Sequence, residues 1–395
     1  MDFLEFLNKS VTPYHTVECL RQILAPAGDK IRLFARGGAL IVVRPPQTID
    51  EESRFRIALA HTDYPTLKIT PNPDGSAAGV RTLHPEIYGS PLFTSWLDRD
   101  LGYAGLLAFE QDGKVQTSLV RGDKLFRIPQ LAVHLNRNVN QDGLKVNPQT
   151  DLNVLWTAVG GKELFVEALQ GALPDGARLL DFDIQLFDAQ PAQYGGFEDE
   201  WIYSGRLDNL SSCHAIVEAF AAAEPSKRDF QVAVFFNNEE VGSTTREGAA
   251  GNFLKSVLDS LTPDSEFRTP NSLALSIDMA HACHPSFGNK HEPNHAPVLG
   301  GGVVLKANSQ KRYASDVYSC AQFKLLCEQS NIPYQAFVSR NDMPCGSTVG
   351  PAVSASLGIP TVDIGEPMLS MHSIREMTAV KDHGDMIRLV SALFH

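Results

Sequence analysis

Residues 232–236 read Val-Ala-Val-Phe-Phe, and the chain then carries two adjacent acids, Glu239 and Glu240, before Val241-Gly242-Ser243. A near-continuous apolar run of this length forms a strand buried on both faces, the kind found in parallel sheets covered by helices. In such sheets ligands collect beyond the carboxyl ends of the strands, where this acid pair falls. Side chains alternate along a strand, so one carboxylate is expected to hold a metal ion while its neighbour faces a metal-bound water as a base. A solvated turn that happens to carry two acids would look the same locally, so the decision rests on the rest of the chain.

The same rhythm recurs. Strands are expected at Ala39–Val43, at Arg56–Ala60 ending on His61, at Leu273–Ile277 ending on Asp278, at Gln335–Val338 and at Pro360–Ile364. Helices are expected over Asn209–Ala223, Ala249–Leu261, Ser315–Ser330, Val349–Leu357 and Asp382–Phe394. Asp2 and Thr12-Pro13 supply caps for two further helices at the start. Alternating strands and helices predict a mostly parallel sheet covered on both sides. From about 91 to 198 the pattern changes to short alternating runs, such as Arg127–Leu135 and Phe182–Phe187, with one helix at Lys162–Leu173. The expected organisation is therefore a discontinuous α/β domain, 1–90 and 199–395, interrupted by a β-rich insert at 91–198.

A length of 395 residues suits about two domains. The net charge of −12 argues against a nucleic-acid surface, since neutralising phosphates takes clustered Lys and Arg. No apolar run approaches the roughly 18 residues that span a bilayer, and the amino terminus does not read as a secretory signal. The six cysteines form no CxxC pair or disulfide framework, which points to a reducing cytoplasm.

Five residues at strand ends or in loops, His61, Asp208, Glu240, Asp278 and His372, are chemically suited to zinc. Asp63 stands two residues after His61, placed to orient a ligating imidazole. Asp208, flanked by small or polar residues in SGRLDN, is the natural bridge between two ions. Three carboxylates and a shared hydroxide balance the charge of such a pair.

These residues lie in long ordered segments: AHTDYPTLKITPNP at 60–73, WLDRDLGYAGLL at 96–107, IPQLAVHLNR at 128–137, SGRLDN at 204–209 and FNNEEVGS at 236–243. Two more follow, at 276–315 and at 340–376. In them the chain resembles the aspartyl aminopeptidase family of binuclear-zinc exopeptidases, and the match spans nearly the whole length. The resemblance implies a zinc-exopeptidase α/β fold with a β-rich dimerisation insert. It implies two zinc ions, with Mn or Co as possible substitutes. His61, Asp208 and Asp278 hold one ion, and Asp208, Glu240 and His372 the other, with Glu239 as general base. It further implies His134 at the active site, Lys306 facing an acidic substrate side chain, and His284 on a loop reaching another subunit's site. The implied assembly is a homodimer that builds a tetrahedral homododecamer. The implied activity is removal of N-terminal Asp or Glu from short peptides. Tyr64, Gly205 and Asn237 depart from the family's usual Ser, Ala and Asp, and none of them is an expected ligand.

Other readings remain open on sequence grounds: a broader aminopeptidase or an amino-acid-conjugate deacylase on the same metals, or a non-catalytic assembly or cargo protein. His281, His284, His291 and His295 are dense enough to suggest a further metal site, yet their spacing fits no common zinc pattern and a polar loop is expected. Gly300-Gly301-Gly302 lacks the following Lys-Ser/Thr of a phosphate loop and is expected as a turn. Cys345-Gly346-Ser347-Thr348 lacks a nucleophile elbow.

Overall fold

The apolar runs pair with one another because none of them has a polar face to turn to water. A computed structural model describes residues 1–158, 164–262 and 272–395. Eight strands form one sheet in the order Arg32–Arg36, Ala39–Arg44, Phe230–Phe236, Phe55–His61, Leu273–Ile277, Thr361–Gly365, Val303–Lys306, Tyr334–Phe337. The central strands run parallel, and antiparallel pairings occur between the first three strands and between Val303–Lys306 and Thr361–Gly365.

Alternate residues of each central strand enter opposite cores, as the pleat requires. Leu40, Val42, Ala58, Ala60, Ala233 and Phe235 join one core with the helices Phe3–Lys9, Pro13–Leu24, Leu207–Ala222 and Val380–Phe394. Ile41, Val43, Ile57, Leu59, Val232 and Val234 join the other with Phe253–Leu261 and Val349–Leu357. Each such Val, Leu, Ile or Phe side chain contributes about 1.5–3 kcal/mol by leaving water, so the register of the strands, and with it the position of their ends, is strongly held. The first two helices start where expected: Asp2 accepts from Glu5 N at 2.8 Å, and Thr12 caps a helix opening on Pro13. A smaller sheet, in the order Gln193–Gly195, Trp201–Ser204, Glu376–Ala379, Pro367–Leu369, Ala280–His281, belongs to the same compact unit.

That unit comprises Met1–Asp63, Ala192–Met371 and Glu376–His395, and a second comprises Tyr64–Pro191 with His372–Arg375. The second unit is built on a six-stranded antiparallel sheet in the order Lys114–Arg121, Leu101–Gln111, Arg178–Asp188, Thr66–Ala77, Val80–Tyr88, Val154–Ala158. Its core holds Leu67, Trp96, Leu107, Phe126, Phe165 and Ile184, with the Tyr103 and Phe126 rings stacked at 4.9 Å.

Two local expectations change. Arg127–Leu135 is not a strand: Arg127 makes a single bridge to Leu155, and Val133–Leu135 is a 3₁₀ turn. Pro129 lacks the N–H a ladder needs, and five consecutive residues, Leu131–Leu135, are exposed. The expected Lys162–Leu173 helix is described as Phe165–Gln170, ending at Gly171, and residues 162–163 lie outside the described residues.

Candidate metal centre

Parallel pairing places Phe236 opposite His61, so the strands Phe55–His61 and Phe230–Phe236 end together. Leu273–Ile277 pairs with the other edge of Phe55–His61, with Ser276 opposite Leu59, and delivers Asp278 to the same end of the sheet. After Phe236 the chain turns through Asn238 at φ 64°, a left-handed conformation that Asn tolerates, and Gly242 at φ 96°. Glu239–Val241 between them is a 3₁₀ turn. The two adjacent carboxylates are therefore set apart by a turn and not by strand pleating, because the strand has already ended.

Asp63 anchors that turn. Its buried carboxylate accepts from Glu239 N through Oδ1 and from Glu240 N through Oδ2, both at 3.1 Å. His61 Nδ1 lies 3.0 Å from the Asp63 carbonyl and 3.4 Å from its Oδ1. A carbonyl can only accept, so Nδ1 carries a proton, and in the neutral tautomer that leaves Nε2 as the nitrogen with a lone pair to offer. That nitrogen lies 3.5 Å from Asp208 Oδ1 and 3.6 Å from Asp278 Oδ1. Toward His61, Asp63 offers its carbonyl at 3.0 Å, while its carboxylate accepts chiefly from the backbone of the acid pair.

Asp208 departs from helical geometry at φ −82°, ψ 103° near the start of Leu207–Ala222, and the Asp208–Asn209 peptide is cis. Asn209 Nδ2 donates to Ile277 O at 2.9 Å, joining this turn to the strand that carries Asp278. Donor atoms of His61, Asp208 and Asp278 lie within 4.8 Å of one another, as do those of His61, Glu239 and Glu240. Lys306, only 3% exposed, brings Nζ to 3.7 Å from Asp278 Oδ2 and 5.4 Å from the Tyr313 ring centroid.

Electrostatics follow from this crowding. Burial pushes the Glu239 carboxyl up, the charges on Asp278, Asp63 and Asp208 push it further, and His61 opposes them, giving about 8. Burial alone would lower the His61 pKa, but the carboxylates of Asp208, Asp278 and Asp63 carry it well above the ordinary histidine value. Two carboxylates about 5 Å apart repel by roughly 3 kcal/mol at an effective dielectric of 20. A divalent ion removes that cost. Imidazole nitrogen and carboxylate oxygen are the donor set zinc takes, with Mn and Co acceptable, so the residues present fit the metal.

Three further expected site residues are His372, His134 and His284. His372 lies in the second unit, at φ 66°, with Nδ1 3.1 Å from Ser90 O, which in the neutral tautomer again leaves Nε2 with the lone pair to offer. His134 is exposed in the Val133–Leu135 turn of that unit. His284 is half-buried, its N–H donating to His291 Nε2 at 3.2 Å and its Nδ1 accepting from Ser286 N at 3.1 Å. The histidines 281, 284, 291 and 295 join no group of potential metal ligands among the described residues, and His295 pairs with Glu292. Gly300–Gly302 is a turn around the protein's own anion: Asp382 accepts from Gly300 N at 2.6 Å and Gly302 N at 2.8 Å. Two residues at the site carried no signal in isolation: Tyr313 beside Lys306, and Glu376, whose Oε2 accepts from Asp208 N at 3.1 Å. Both fall inside the long segments described above.

The family model described as aminopeptidase I zinc metalloprotease (M18) matches residues 6–394. The chain is 40% identical to a probable M18 family aminopeptidase 2 of Streptomyces avermitilis, covering 96% of this chain and 94% of that protein. It is 39% identical to one of Pseudomonas aeruginosa, covering 99% and 96%. Among solved structures, the cryo-EM structure of the Ape4 and Nbr1 complex superposes with a TM-score of 0.94 at 33% identity, covering 100% of this chain and 84% of that one. A Saccharomyces mApe1 dodecamer superposes at 0.85 with 26% identity, covering 99% and 95%. The chain belongs to the M18 family of zinc metallo-aminopeptidases and is a hydrolase of the zinc-exopeptidase fold.

Proposed function

We propose that this aminopeptidase works with two zinc ions per subunit, held by His61, Asp208, Glu240, Asp278 and His372, and that Glu239 is its general base. The observation that carries the proposal is the convergence of His61, Asp208 and Asp278 with the Glu239–Glu240 turn at one end of the sheet, the turn being fixed by Asp63. Zinc, when bound, polarises the scissile carbonyl and acidifies water. Glu239 takes the proton of the attacking water and delivers it to the leaving amine. Burial suits Glu239 to this work by holding its proton affinity above that of an exposed carboxylate. Asp63 holds both acids through their backbone, so the base keeps its position while its side-chain oxygens stay available for the proton.

Preference for N-terminal Asp or Glu is assigned to Lys306. A buried ammonium beside Asp278 is a compact charge at the candidate centre, suited to a substrate carboxylate. Lys306→Ala is expected to lower kcat/KM for Asp and Glu substrates by about 10- to 150-fold, the worth of a charge-assisted hydrogen bond. Losses for Leu and Ala substrates are expected to be much smaller. A panel of aminoacyl chromogenic substrates measures this, and equal losses across all four sink the assignment. N-acetylated peptides in the same panel separate this activity from a deacylase, since an aminopeptidase leaves them intact.

The substrates are short peptides, and the proposed assembly is a homodimer building a tetrahedral homododecamer, with the β-rich insert as the dimerisation module. Supporting this, Leu125, Leu131, Val133 and Leu135 of the second unit are 59%, 63%, 49% and 74% exposed, apolar area that an assembly would cover. His134 sits in this stretch. We assign His134 and His284 to substrate binding, the latter on a loop reaching another subunit. No helix among the described residues is long and apolar enough to cross a membrane, and all six cysteines are free thiols, which suits the proposed cytoplasmic location.

A further inference from the structure

We infer that Glu376 is a positioning residue: its carboxylate holds the backbone of Asp208, and with it the side chain that would serve as a metal ligand. This rests on the two-ion reading above.

Glu376 opens the strand Glu376–Ala379, which pairs antiparallel with Trp201–Ser204 and sets Glu376 opposite Ser204. The chain leaving Ser204 turns through Arg206 at φ 65° and enters Leu207–Ala222 with non-helical angles at Asp208 and Asn209. N–H groups in a helix's first turn have no carbonyl within the helix to bond. The Asp208 N–H is one of these, and it donates to Glu376 Oε2 at 3.1 Å. On the following residue, Asn209 Nδ2 donates to Ile277 O at 2.9 Å, one residue before Asp278. Asp208 is thereby bracketed between the Glu376 strand on one side and the strand delivering Asp278 on the other. These two tethers set the spacing of Asp208 and Asp278 around His61 Nε2.

Burial argues that the acid is kept for a purpose. Glu376 is 3% exposed, and a buried carboxylate is costly unless its hydrogen bonds are made. It also adds negative charge close to a site already rich in carboxylates, where an apolar side chain would fill the volume without repulsion. Among the described residues Glu376 joins no group of potential metal ligands, so its influence on an ion passes through Asp208.

Two conservative variants separate geometry from charge. Glu376→Gln keeps an acceptor oxygen at the same reach and removes the charge. Glu376→Asp keeps the charge and withdraws the oxygen by about 1.5 Å, one carbon–carbon bond, which breaks a 3.1 Å contact. Metal-stripped proteins are titrated with zinc by calorimetry, with kcat and KM measured on the reloaded enzymes and thermal unfolding on the stripped ones. The positioning role predicts that Glu376→Asp weakens zinc binding by about 10- to 100-fold, the usual cost of losing support behind a ligand. Its kcat should fall while KM and metal-free stability change little, and Glu376→Gln should match the wild type in every readout. Wild-type zinc affinity in Glu376→Asp overturns the inference, and so does Glu376→Gln weakened as much as Glu376→Asp. Should Glu376→Asp fail to fold, Glu376→Gln decides alone: wild-type affinity supports the acceptor role and weakened affinity overturns it. Asp208→Asn is the control for the reading beneath, because if it binds zinc as the wild type does, the metal assignment fails independently of Glu376.

Discussion

Replacing Glu239 with Gln is expected to leave zinc content at the wild-type level and to lower kcat by about 10²- to 10⁴-fold, the range that a positioned general base supplies. The amide has nearly the same shape and cannot accept the proton of the attacking water. The backbone of residue 239 would still donate to Asp63 Oδ1, so the turn should persist. KM should change little, since the substitution removes a group that acts in the transition state. Zinc analysis together with steady-state kinetics checks both halves. Retained turnover removes Glu239 from the mechanism, and lost zinc makes it a ligand.

Asp63→Asn is expected to reduce both stability and metal affinity. The Asp63 carboxylate accepts one N–H through each oxygen, from Glu239 and from Glu240. An amide offers one oxygen, so one of these N–H groups meets an NH₂ instead. A buried donor left without its acceptor costs about 1–3 kcal/mol, and the misplaced turn should weaken zinc binding by about 10- to 100-fold. Urea unfolding of the metal-free protein reads the first effect and zinc titration the second. If metal-free stability is unchanged while zinc binding falls, Asp63 acts on His61 alone and the turn-anchoring role is wrong.

The central strands of the sheet were legible because they are buried on both faces and carry almost no polar interruption, whereas Arg32–Arg36, largely exposed, and the short Val303–Lys306 were not anticipated. Ala39–Arg44 and Phe230–Phe236 are buried throughout, and their apolar runs announce them. His61 and Asp278 were legible for the same reason, standing where such runs stop. The hairpin of Thr66–Ala77 and Val80–Tyr88 was hidden, since Pro71, Pro73, Gly75 and Pro85 break the alternation that marks a strand. At Arg127–Leu135 the residue types suggested pairing that the fold does not make.

The candidate centre was legible in its ligand types and less so in its supports. Asp63 was readable as a partner of His61, two residues away. Its bonds to Glu239 and Glu240 span 176 and 177 residues and depend on the register that sets Phe236 against His61. Glu376 is 168 residues from Asp208, and only the folded sheet brings them together. The two adjacent acids were visible from the start, but their division of labour arises from a 3₁₀ turn that follows the strand, which residue alternation could not supply.

The central claim is that this convergent set of imidazole and carboxylate groups holds the metals on which peptide hydrolysis depends. Metal-free protein titrated with zinc, with hydrolysis of an aminoacyl substrate followed at each addition, tests it most directly. The expected result is no activity without metal and a maximum reached at two equivalents per subunit, as for a paired-metal site. Full activity in the metal-free protein, or a maximum already reached at one equivalent, would contradict it.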